Sequence, residues 1–501
     1  MRPGHSGASV RKMWRVAVAL TSLSIMMAGC DGGGNPFTVL FNIPARALHA
    51  ALNEGTDTSS QQQAATGSTQ SAATGEANAT SVDVSQTTSP QVDGASSSAS
   101  DNAGATENTT QANATQTAAK TDDGGTNSQT TVAQSTGFIH PGLLHTKDDF
   151  DRMKTKVATS EEPWASGWAI LTANRHASLQ WQPRPANIIY RGYDGTHSQN
   201  YAQLFNDAAA AYALALRWKI SGDDQYAERA VAVLDAWASN LTGIEGTSDR
   251  FLASGIYGYE MANAAEIMRG YTGWPQASFE KFLQMMLTVF YPMNHDFLVR
   301  HNGAKIDHYW ANWDLANMAS MLAIGVLADR RDIYQEAVDY FYKGGGNGSV
   351  DHLVWKIYDG GLGQIQESGR DQGHSALDIA LVGAFCQMAW SQGDDLFGYE
   401  NNRVLAGAEY VARYNLGNDV PYTTYTNSDV TQTEISASGR GDERPIWELL
   451  YNHYVVLKGQ TAPSVTAFAS KLRPEGGGGD YGPNSGGYDQ LGYGTLTFTL
   501  P

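Results

Sequence analysis

Cysteine is scarce in this 501-residue chain, which contains only Cys30 and Cys386. Cys30 ends an N-terminal leader, so Cys386 is the single thiol of the region that folds, where it lies in an apolar run. A disulfide framework is therefore excluded. The folded region must be stabilised by its hydrophobic core.

Positive charge is also in short supply. The chain has 33 lysine and arginine residues against 51 aspartate and glutamate residues, which gives a formal net charge of −18. This balance argues against nucleic acid as a partner. If the substrate is itself an anion, the positive charge that binds it must be concentrated at one place.

Large apolar residues are almost missing from residues 57–135, which consist mainly of Ser, Thr, Ala, Gln, Asn and Gly. Such a segment cannot bury enough surface to offset the entropy of ordering it. We therefore assign residues 31–136 to a low-complexity, flexible tether and residues 137–501 to one folded domain.

The leader contains no apolar run long enough to span a membrane. Basic residues precede the short apolar run of residues 16–27, which is typical of a secretory signal peptide. The run ends in Ala28-Gly29-Cys30, which resembles the lipobox of bacterial lipoproteins. Residues 1–30 therefore predict a periplasmic or cell-surface protein, anchored to the membrane through a lipidated Cys30. An ordinary secretory signal with an incidental cysteine is the alternative.

Helical periodicity dominates from residue 140 onward. Apolar residues recur at spacings of four and three from Leu204 to Trp218, a polar turn follows, and a second helix is predicted from Tyr226 to Leu241. Two further copies of this helical hairpin are predicted at residues 315–341 and 377–414. The intervals are too variable for an open solenoid, so the prediction is an all-α fold, an (α/α) toroid or incomplete barrel.

The C-terminal tail is predicted to differ from the rest. Residues 476–487 are rich in glycine and should form a loop. The alternation from Thr495 to Leu500 predicts a short strand or extended cover.

A dense polar stretch spans residues 366–375. Arg370 and His374 are four residues apart, so a helix that begins near Asp371 would place both in its first turn, where free N–H groups favour an anion. An arginine fork and an imidazole there would suit a carboxylate. Alternatively, Arg370 pairs with Glu367 or Asp371 to fix a loop, and His374 is structural.

A second polar stretch lies about sixty residues upstream. His308 and Asn312 are again four apart, Tyr309 lies beside them, and Trp310 and Trp313 offer faces on which a sugar can stack. A buried Asn312 would need hydrogen-bond partners. Each tryptophan taken alone is more typical of a core.

Three other motifs give weaker evidence of a functional site. The loop around Arg191 could line a substrate subsite or be an ordinary surface loop. The histidines at 295, 301 and 308 are too irregularly spaced for a metal site. The glycines at 344–346 lack the spacing of a phosphate loop. No cofactor and no metal are predicted.

Taken together, the order His-Tyr-Trp-Ala-Asn-Trp-Asp-Leu at 308–315 and Glu-Ser-Gly-Arg-Asp-Gln-Gly-His at 367–374, separated by a helical hairpin, resembles the alginate lyase superfamily of (α/α) toroid polysaccharide lyases. Residues 206–212, 444–448 and 489–496 support the resemblance, which spans about 140–501. It implies cleavage of an acidic polysaccharide by β-elimination at a uronic acid, with alginate as the first expected substrate.

The resemblance also implies roles for individual residues. Asn312 and Arg370 would neutralise the uronate carboxylate, and His308 or His374 would act as base or neutraliser. The relatives carry a tyrosine six or seven positions after the arginine, where this chain has Ala376 and Leu377.

Another residue must then handle the proton. The candidates are Tyr309, Tyr257 and Tyr259, unless His374 takes the proton itself. The expected substrate-binding residues are Trp310, Trp313, Arg191 and Glu367.

Two other functions stay open on the sequence alone. A glycoside hydrolase on a similar toroid would need two carboxylates flanking the bond, which Glu367, Asp371 and Asp314 could supply. A glycan-binding lipoprotein that has lost the proton-transfer residue is the second alternative, and Ala376 is its best support.

Overall fold

The structure is a computed structural model that describes residues 137–477 and 489–501. The predicted signal peptide at 1–30 and tether at 31–136 lie outside the described residues, as does most of the predicted glycine-rich loop.

The fold is built almost entirely from helices, which confirms the predicted all-α class. In chain order the α-helices are α1 Lys147–Ala158, α2 Trp164–Ala173, α3 Ala202–Ser221, α4 Asp224–Asn240, α5 Arg250–Met268, α6 Gln276–Met285, α7 Tyr291–Arg300, α8 Ala311–Leu327, α9 Arg331–Lys343, α10 Val350–Leu353, α11 Gln372–Trp390, α12 Tyr399–Asn415, α13 Trp447–Tyr451, α14 Pro463–Leu472 and α15 Gly494–Thr497. The three predicted hairpins are present as α3–α4, α8–α9 and α11–α12.

Short strands connect some of the helices. They are β1 Ile188–Arg191, β2 Gly243–Gly246, β3 Lys356–Ile357, β4 Gly363–Gln364, β5 Tyr425–Thr426 and β6 Thr431–Gln432. β1 and β2 are parallel, whereas β3–β4 and β5–β6 are antiparallel pairs. These small sheets were not predicted, because strands of two to four residues leave almost no periodicity in the sequence.

The helices form an inner and an outer layer. Every residue of α8 is buried, and so is nearly all of α5. By contrast, α9 buries only one face, as expected of a helix that covers a core. A Cβ atom at Gly255 of α5 would lie 2.7 Å from the backbone of Ala316 in α8, so glycine is what allows these two inner helices to approach closely.

Contacts between neighbouring inner helices run from α3 to α5, α8 and α11, and α15 packs against α1, α2 and α13. The short C-terminal helix α15 therefore helps to close the ring. This arrangement is an (α/α) toroid, with α4, α9, α12 and α14 on its outside.

The prediction of an extended C-terminal tail is wrong at residues 494–497, which form the helical turn α15. Among the described residues no strand pairs with this segment. Instead, Thr495 Oγ1 donates to Glu448 at 3.0 Å and accepts from the Glu475 backbone N–H at 2.7 Å, and Leu496 is fully buried. Tertiary contacts of these alternating residues thus favour a helical turn over a strand.

Within the described part of the chain, no helix combines the length and apolar character that a membrane span requires.

Candidate active site

The two polar stretches meet where helices α8 and α11 begin. Asn312 lies in the first turn of α8, and residues Gln366–Gly369 form a 3₁₀ turn that leads to Asp371, the N-cap of α11. Helix N-termini carry free N–H groups and a partial positive charge, which favour anions. The polar side chains of the two stretches are therefore brought together at two helix N-termini.

Glu367 joins the two stretches. One of its carboxylate oxygens accepts hydrogen bonds from the Asn312 side-chain amide at 2.6 Å and the Asn312 backbone N–H at 3.0 Å. The other oxygen accepts from Arg370 Nη1 at 2.8 Å. We call Asn312, Glu367 and Arg370 the clamp. Glu367 is fully buried, so it lies behind the two groups rather than where a substrate could touch it, which differs from its predicted role in substrate binding.

Arg370 is held on three sides. Its guanidinium carbon lies 4.8 Å from the Trp310 ring centre, and its Nε lies 3.7 Å from Asp371. The alternative interpretation of the sequence paired Arg370 with Glu367 or Asp371 to fix a loop. Both of these contacts are present. Among the described residues, Nη2 has no hydrogen-bond partner within the protein, and the side chain keeps 13% of its surface exposed. This nitrogen is available to an incoming carboxylate.

His374 is fixed by the helix cap. Asp371 accepts from the His374 backbone N–H at 2.8 Å and contacts its ring Nδ1 at 2.7 Å. Burial alone would raise the pKa of Asp371, but the neighbouring His374 and Arg370 hold that pKa far below its ordinary value. Asp371 is thus a permanent anion that orients the imidazole, whose Nε2 remains for a ligand.

A second buried carboxyl group, Asp378 of α11, lies against Glu367 and was not predicted. Its side chain is fully buried, and neither oxygen receives a hydrogen bond from any donor in the described residues. Burial, followed by the charge of Glu367, raises the pKa of Asp378 well above its ordinary value. A protonated Asp378 can donate to Glu367, which explains how two carboxyl groups share one dry site.

His308 and Tyr309 lie in the loop before α8, because the helix begins only at Ala311. His308 Nδ1 contacts Asp429 at 2.5 Å. The Tyr309 hydroxyl accepts a hydrogen bond from the Asn302 amide at 3.0 Å, and its ring lies 4.8 Å from the His308 ring. Both side chains are only partly buried, so they can be reached from solvent.

The two tryptophans differ in their placement. Trp310 is partly exposed beneath Arg370, as a substrate-binding residue would be. Trp313 is only 4% exposed and stacks on Phe297 at 5.8 Å. Its predicted role in substrate binding is corrected, because a ring in the core has no face to offer a sugar.

Arg191 and Tyr257 form a separate pair. Arg191 Nη1 lies 3.3 Å from the Tyr257 hydroxyl, and the guanidinium packs over Tyr201 at 5.2 Å. Burial raises the pKa of Tyr257 well above its ordinary value, despite the nearby arginine. Tyr257 therefore retains its proton. Tyr259 is also buried and donates to the Asp489 carbonyl at 2.8 Å, which leaves it no proton-transfer role.

A line of charged residues connects this pair with the N-terminus of α11. Asp489 acts electrostatically on both Arg191 and Tyr257 and accepts from Arg444 Nη1 at 2.9 Å. Arg444 Nε in turn donates to the Gly373 carbonyl at 3.1 Å and to Asp442 at 3.2 Å. Burial raises the pKa of Asp442 to about 7 even though Arg444 opposes the shift.

Sequence reasoning missed the hairpin β5–β6, which lies over the loop before α8. Asn427 and Ser428 in its turn bond to Asp307, and its other end touches the 3₁₀ turn, where a Cβ atom at Gly369 would lie 2.7 Å from Gln432. Glycine at 369 thus leaves room for the hairpin. The polar turn Asn427-Ser428-Asp429 was the only signal in the sequence.

The carboxylates that a hydrolase would need are not free. Glu367 and Asp314 are both fully buried, and Asp314 bonds to His301 at 2.9 Å and to the Gly348 backbone N–H at 2.9 Å. In the described residues no group of three or more histidine, cysteine and acidic side chains is placed to hold a metal ion. Asn312, Arg370 and His374 instead offer hydrogen-bond donors that can hold a carboxylate.

Comparison with known proteins identifies the family and the fold. The family model described as alginate lyase matches residues 148–420. A crystal structure of an alginate lyase from Bacteroides ovatus superposes with a TM-score of 0.51 at 13% identity, covering 72% of this chain and 100% of that one. Alginate lyase A1-III from Sphingomonas species A1 gives a TM-score of 0.44 at 14% identity, over 70% and 95% of the two chains.

No curated protein matches the chain in a sequence search. The structural likeness, at such low identity, shows the fold, and the family match extends over more than half of the sequence. The chain belongs to the alginate lyase family and is a polysaccharide lyase.

Proposed function

We propose that the enzyme cleaves alginate by β-elimination, with the clamp on the carboxylate of the uronic acid at the cleavage point. The observation that carries this proposal is the buried Glu367, which holds Asn312 and Arg370 together across two helix N-termini. Neutralising that carboxylate makes the neighbouring C5 proton acidic enough to remove.

The reaction requires a base and an acid. The base removes the C5 proton, the C4–O bond breaks as the C4–C5 double bond forms, and the leaving oxygen takes up a proton. We assign Tyr309 as the base, because it adjoins Trp310 and thereby Arg370, and because its partly exposed hydroxyl already accepts from Asn302. His374 and His308 flank the site as alternative proton carriers.

Tyr257 suits a different role. Its hydroxyl keeps its proton and lies against Arg191, so it cannot serve as the base at neutral pH. We infer that Arg191, which is positioned by the buried Tyr257, lines a further subsite along the charged line that runs through Asp489 and Arg444.

The first test is to incubate the purified chain with alginate and other polyuronates and to follow the ultraviolet absorbance of the unsaturated product. Rising absorbance supports β-elimination. New reducing ends without absorbance would indicate hydrolysis, and binding with neither would indicate a glycan-binding protein.

The second test is Arg370→Ala, which should reduce turnover of alginate to background without unfolding the protein. Arg330→Ala is a matched control, since Arg330 is an exposed arginine whose ion pair among the described residues is with Asp332, in the turn before α9. Full activity of Arg370→Ala would contradict the assignment of the clamp.

The cellular location is a separate proposal that rests on the sequence of residues 1–30. We propose that Cys30 is lipidated and anchors the enzyme in the periplasm or at the cell surface. Metabolic labelling with a fatty acid should mark the wild-type chain and not Cys30→Ala, and labelling of both would refute the anchor.

A further inference from the structure

The C-terminal end of α7 has a strained backbone. His301 and Asn302 have φ angles of 45° and 53°, in the left-handed region that most side chains avoid. Asparagine is among the residues that tolerate this conformation best. Strained residues persist only where the surrounding structure fixes them, and they cluster at functional sites. This turn is therefore a candidate for a segment that positions a side chain for chemistry.

His301 anchors the turn from the inside. It is only 1% exposed, and its Nε2 lies 2.9 Å from Asp314 and 3.1 Å from the Tyr340 hydroxyl. Its ring also packs against Phe297 at 5.2 Å. These contacts hold the backbone while the next residue, Asn302, stays at the surface. The amide of Asn302 is thereby presented to the loop that precedes α8.

Asn302 lies between an arginine and the proposed base. Its Oδ1 accepts from Arg250 Nη2 at 3.0 Å, and its Nδ2 donates to the Tyr309 hydroxyl at 3.0 Å. The two ends of an amide can exchange by a flip, so the neighbours decide its orientation. A guanidinium has N–H donors and no acceptor. Arg250 therefore requires the amide oxygen on its own side, and the amide nitrogen faces Tyr309.

The charge of Arg250 is not cancelled by an acidic group. Its other contacts are the carbonyl oxygens of Gly246 at 3.4 Å and Thr247 at 3.5 Å, and the Phe251 ring, whose centre lies 4.6 Å away. Within the described part of the chain, none of its hydrogen-bond partners is a carboxylate. Hydrogen bonds in a chain polarise one another, so the guanidinium strengthens the donation from Asn302 to Tyr309.

The orientation of this amide matters for a tyrosine base. A tyrosine accepts the C5 proton as a phenolate, and a hydrogen bond donated to its oxygen stabilises that form. A group that accepts the phenol proton stabilises the neutral form instead. Asn302 could do either, depending on which end of its amide faces Tyr309.

We propose that Arg250 is a positioning residue for the base, because it holds Asn302 in the orientation that donates to Tyr309. The proposal rests on the proposed function, in which Tyr309 removes the C5 proton. Arg250 itself touches neither Tyr309 nor the clamp through any hydrogen bond among the described residues.

Other charged groups also surround Tyr309. They are Lys305, Asp307 and His308 in its own loop, Asp429 of the hairpin, His301 with Asp314 beside α7, and Arg370 over Trp310. Substitutions at 250 and 302 leave all of these groups in the chain. A change in the ionisation of Tyr309 in such variants therefore reports on the amide and on Arg250.

The ionisation of Tyr309 can be measured by NMR without a substrate. Tyrosine labelled with carbon-13 at Cζ reports the loss of its hydroxyl proton, and the Tyr309 signal is the one that is missing from Tyr309→Phe. Arg250→Met keeps the apolar stem and removes the donors. Asn302→Gly removes the amide and suits the left-handed backbone. Asn302→Asp offers Tyr309 only acceptors.

We expect Tyr309 to lose its proton at a pH about 0.5 to 1 unit higher in Arg250→Met and Asn302→Gly than in the wild type, as suits one exposed hydrogen bond to a charged group. The shift should be largest in Asn302→Asp. Arg250→Lys can still donate to Asn302 and should recover most of the wild-type behaviour. Arg300→Met is the matched control, since this exposed arginine of α7 pairs with Asp296.

The same shift should appear in catalysis. On alginate, the acidic side of the pH profile of kcat/KM should move to higher pH by the same amount. At a pH on that side, kcat/KM should therefore fall by about 3- to 10-fold in Arg250→Met and in Asn302→Gly. Arg300→Met should keep the wild-type profile.

A double-mutant cycle tests whether Arg250 acts through Asn302. Adding Arg250→Met to Asn302→Gly should cause no further shift in the ionisation of Tyr309. Additive shifts would mean that Arg250 acts by its charge alone, and they would overturn the proposal. An unchanged ionisation of Tyr309 in Arg250→Met would overturn it as well.

Failure of the proposed function gives different results. A wild-type protein that releases no unsaturated product refutes β-elimination, yet the NMR titration still decides whether Arg250 controls Tyr309. Wild-type turnover in Tyr309→Phe would leave the clamp intact and overturn the present proposal, because there would be no base at 309 to position.

Discussion

At the scale of single residues, the clamp depends on a carboxylate that never meets the substrate. Glu367 accepts three N–H groups, two from Asn312 and one from Arg370. Glutamine at this position would replace one accepting oxygen with a donor and remove the charge that faces Arg370. We expect Glu367→Gln to lower kcat/KM on alginate by about 100-fold, because small misplacements of catalytic groups cost that much.

The measurement is steady-state kinetics on alginate together with thermal unfolding. The matched control is Glu409→Gln, since Glu409 is also a buried carboxylate that accepts backbone N–H groups, from Ser464 and Val465 at the start of α14. Wild-type kcat/KM in Glu367→Gln would show that the clamp does not need its buried anchor.

Asp378 makes the clamp sensitive to pH. While it is protonated, it can donate to Glu367 and adds no charge. When it ionises as the pH rises, it places a second negative charge beside Glu367, behind the clamp groups that must bind an anionic substrate. We expect kcat/KM of the wild type to fall as the pH rises through the raised pKa of Asp378. Asp378→Asn, whose amide can donate at every pH, should shift that fall to higher pH or abolish it.

Asp378→Leu provides the comparison, because it has a similar size but no donor, and it should be impaired across the whole pH range. The readout is the pH profile of kcat/KM for the three proteins. A fall of kcat/KM in Asp378→Asn at the same pH as in the wild type would rule out Asp378 as its origin.

The sequence predicted which residues form the clamp better than it predicted what each one touches. Asn312 and Arg370 were recognised because their polar neighbours are unusual at the start of apolar helices. The burial of Glu367 and of Trp313 could not be predicted, since each depends on contacts with residues more than ten positions away. The role of Asp378 could not be predicted, because a lone aspartate in an apolar helix gives the same sequence pattern whether its carboxyl group is protonated or ionised.

At the scale of elements, the helices of the three predicted hairpins were located from the sequence, whereas the long helix α5 and the ends of the helices were not. Periodicity over fifteen or more residues located α3, α4, α8 and α11, because the buried face repeats many times. His308 and Asn312 have helical spacing, but α8 begins at Ala311. The loop before it is fixed by the hairpin β5–β6 instead, a contact between segments more than a hundred residues apart.

Asp307 attaches that hairpin to the loop that carries His308, Tyr309 and Trp310. Its carboxylate accepts from the Ser428 backbone N–H at 2.9 Å and the Ser428 hydroxyl at 2.6 Å. Asp307→Ala removes both bonds, each of which contributes about 1 kcal/mol. We expect the backbone amides of the hairpin to exchange hydrogen faster. We also expect kcat/KM to fall by about 10-fold, because the loop that carries His308, Tyr309 and Trp310 is then less well positioned beside the clamp.

Hydrogen exchange resolved to residues 425–432, together with kinetics on alginate, would measure both effects. Asp359→Ala is the control, since Asp359 is an exposed aspartate in a nearby loop. Protection of the hairpin that stays at the wild-type level in Asp307→Ala would mean that other contacts hold it.

At the scale of the whole molecule, the buried acids govern how stability depends on pH. Burial raises the pKa of Glu260, Asp378 and Glu475 well above their ordinary values, and that of Asp442 to about 7. In the pH range between the ordinary and the raised pKa of such a group, the folded state holds a proton that the unfolded state has released. The free energy of unfolding therefore falls as pH rises.

The buried histidines change the free energy of unfolding in the opposite direction, over a lower pH range. Burial lowers the pKa of His145 and of His453 to about 4, so their contribution to stability is complete above pH 6.5 and is lost as the pH falls towards 4. Above pH 6.5, only the buried acids change the balance among these groups. Each acid lowers the free energy of unfolding by about 1.4 kcal/mol per pH unit until its own pKa is passed.

We therefore expect the free energy of unfolding, measured by urea denaturation, to be greater at pH 6.5 than at alkaline pH. Asp442→Asn should flatten the part of this decline that lies near pH 7, because its amide carries no proton to lose and can still accept from Arg444. A free energy of unfolding that is constant or rises from pH 6.5 upward would contradict the assignment of protonated acids in the core. It would also remove the basis for a neutral Asp378 behind the clamp, so this measurement tests the interior and the active site together.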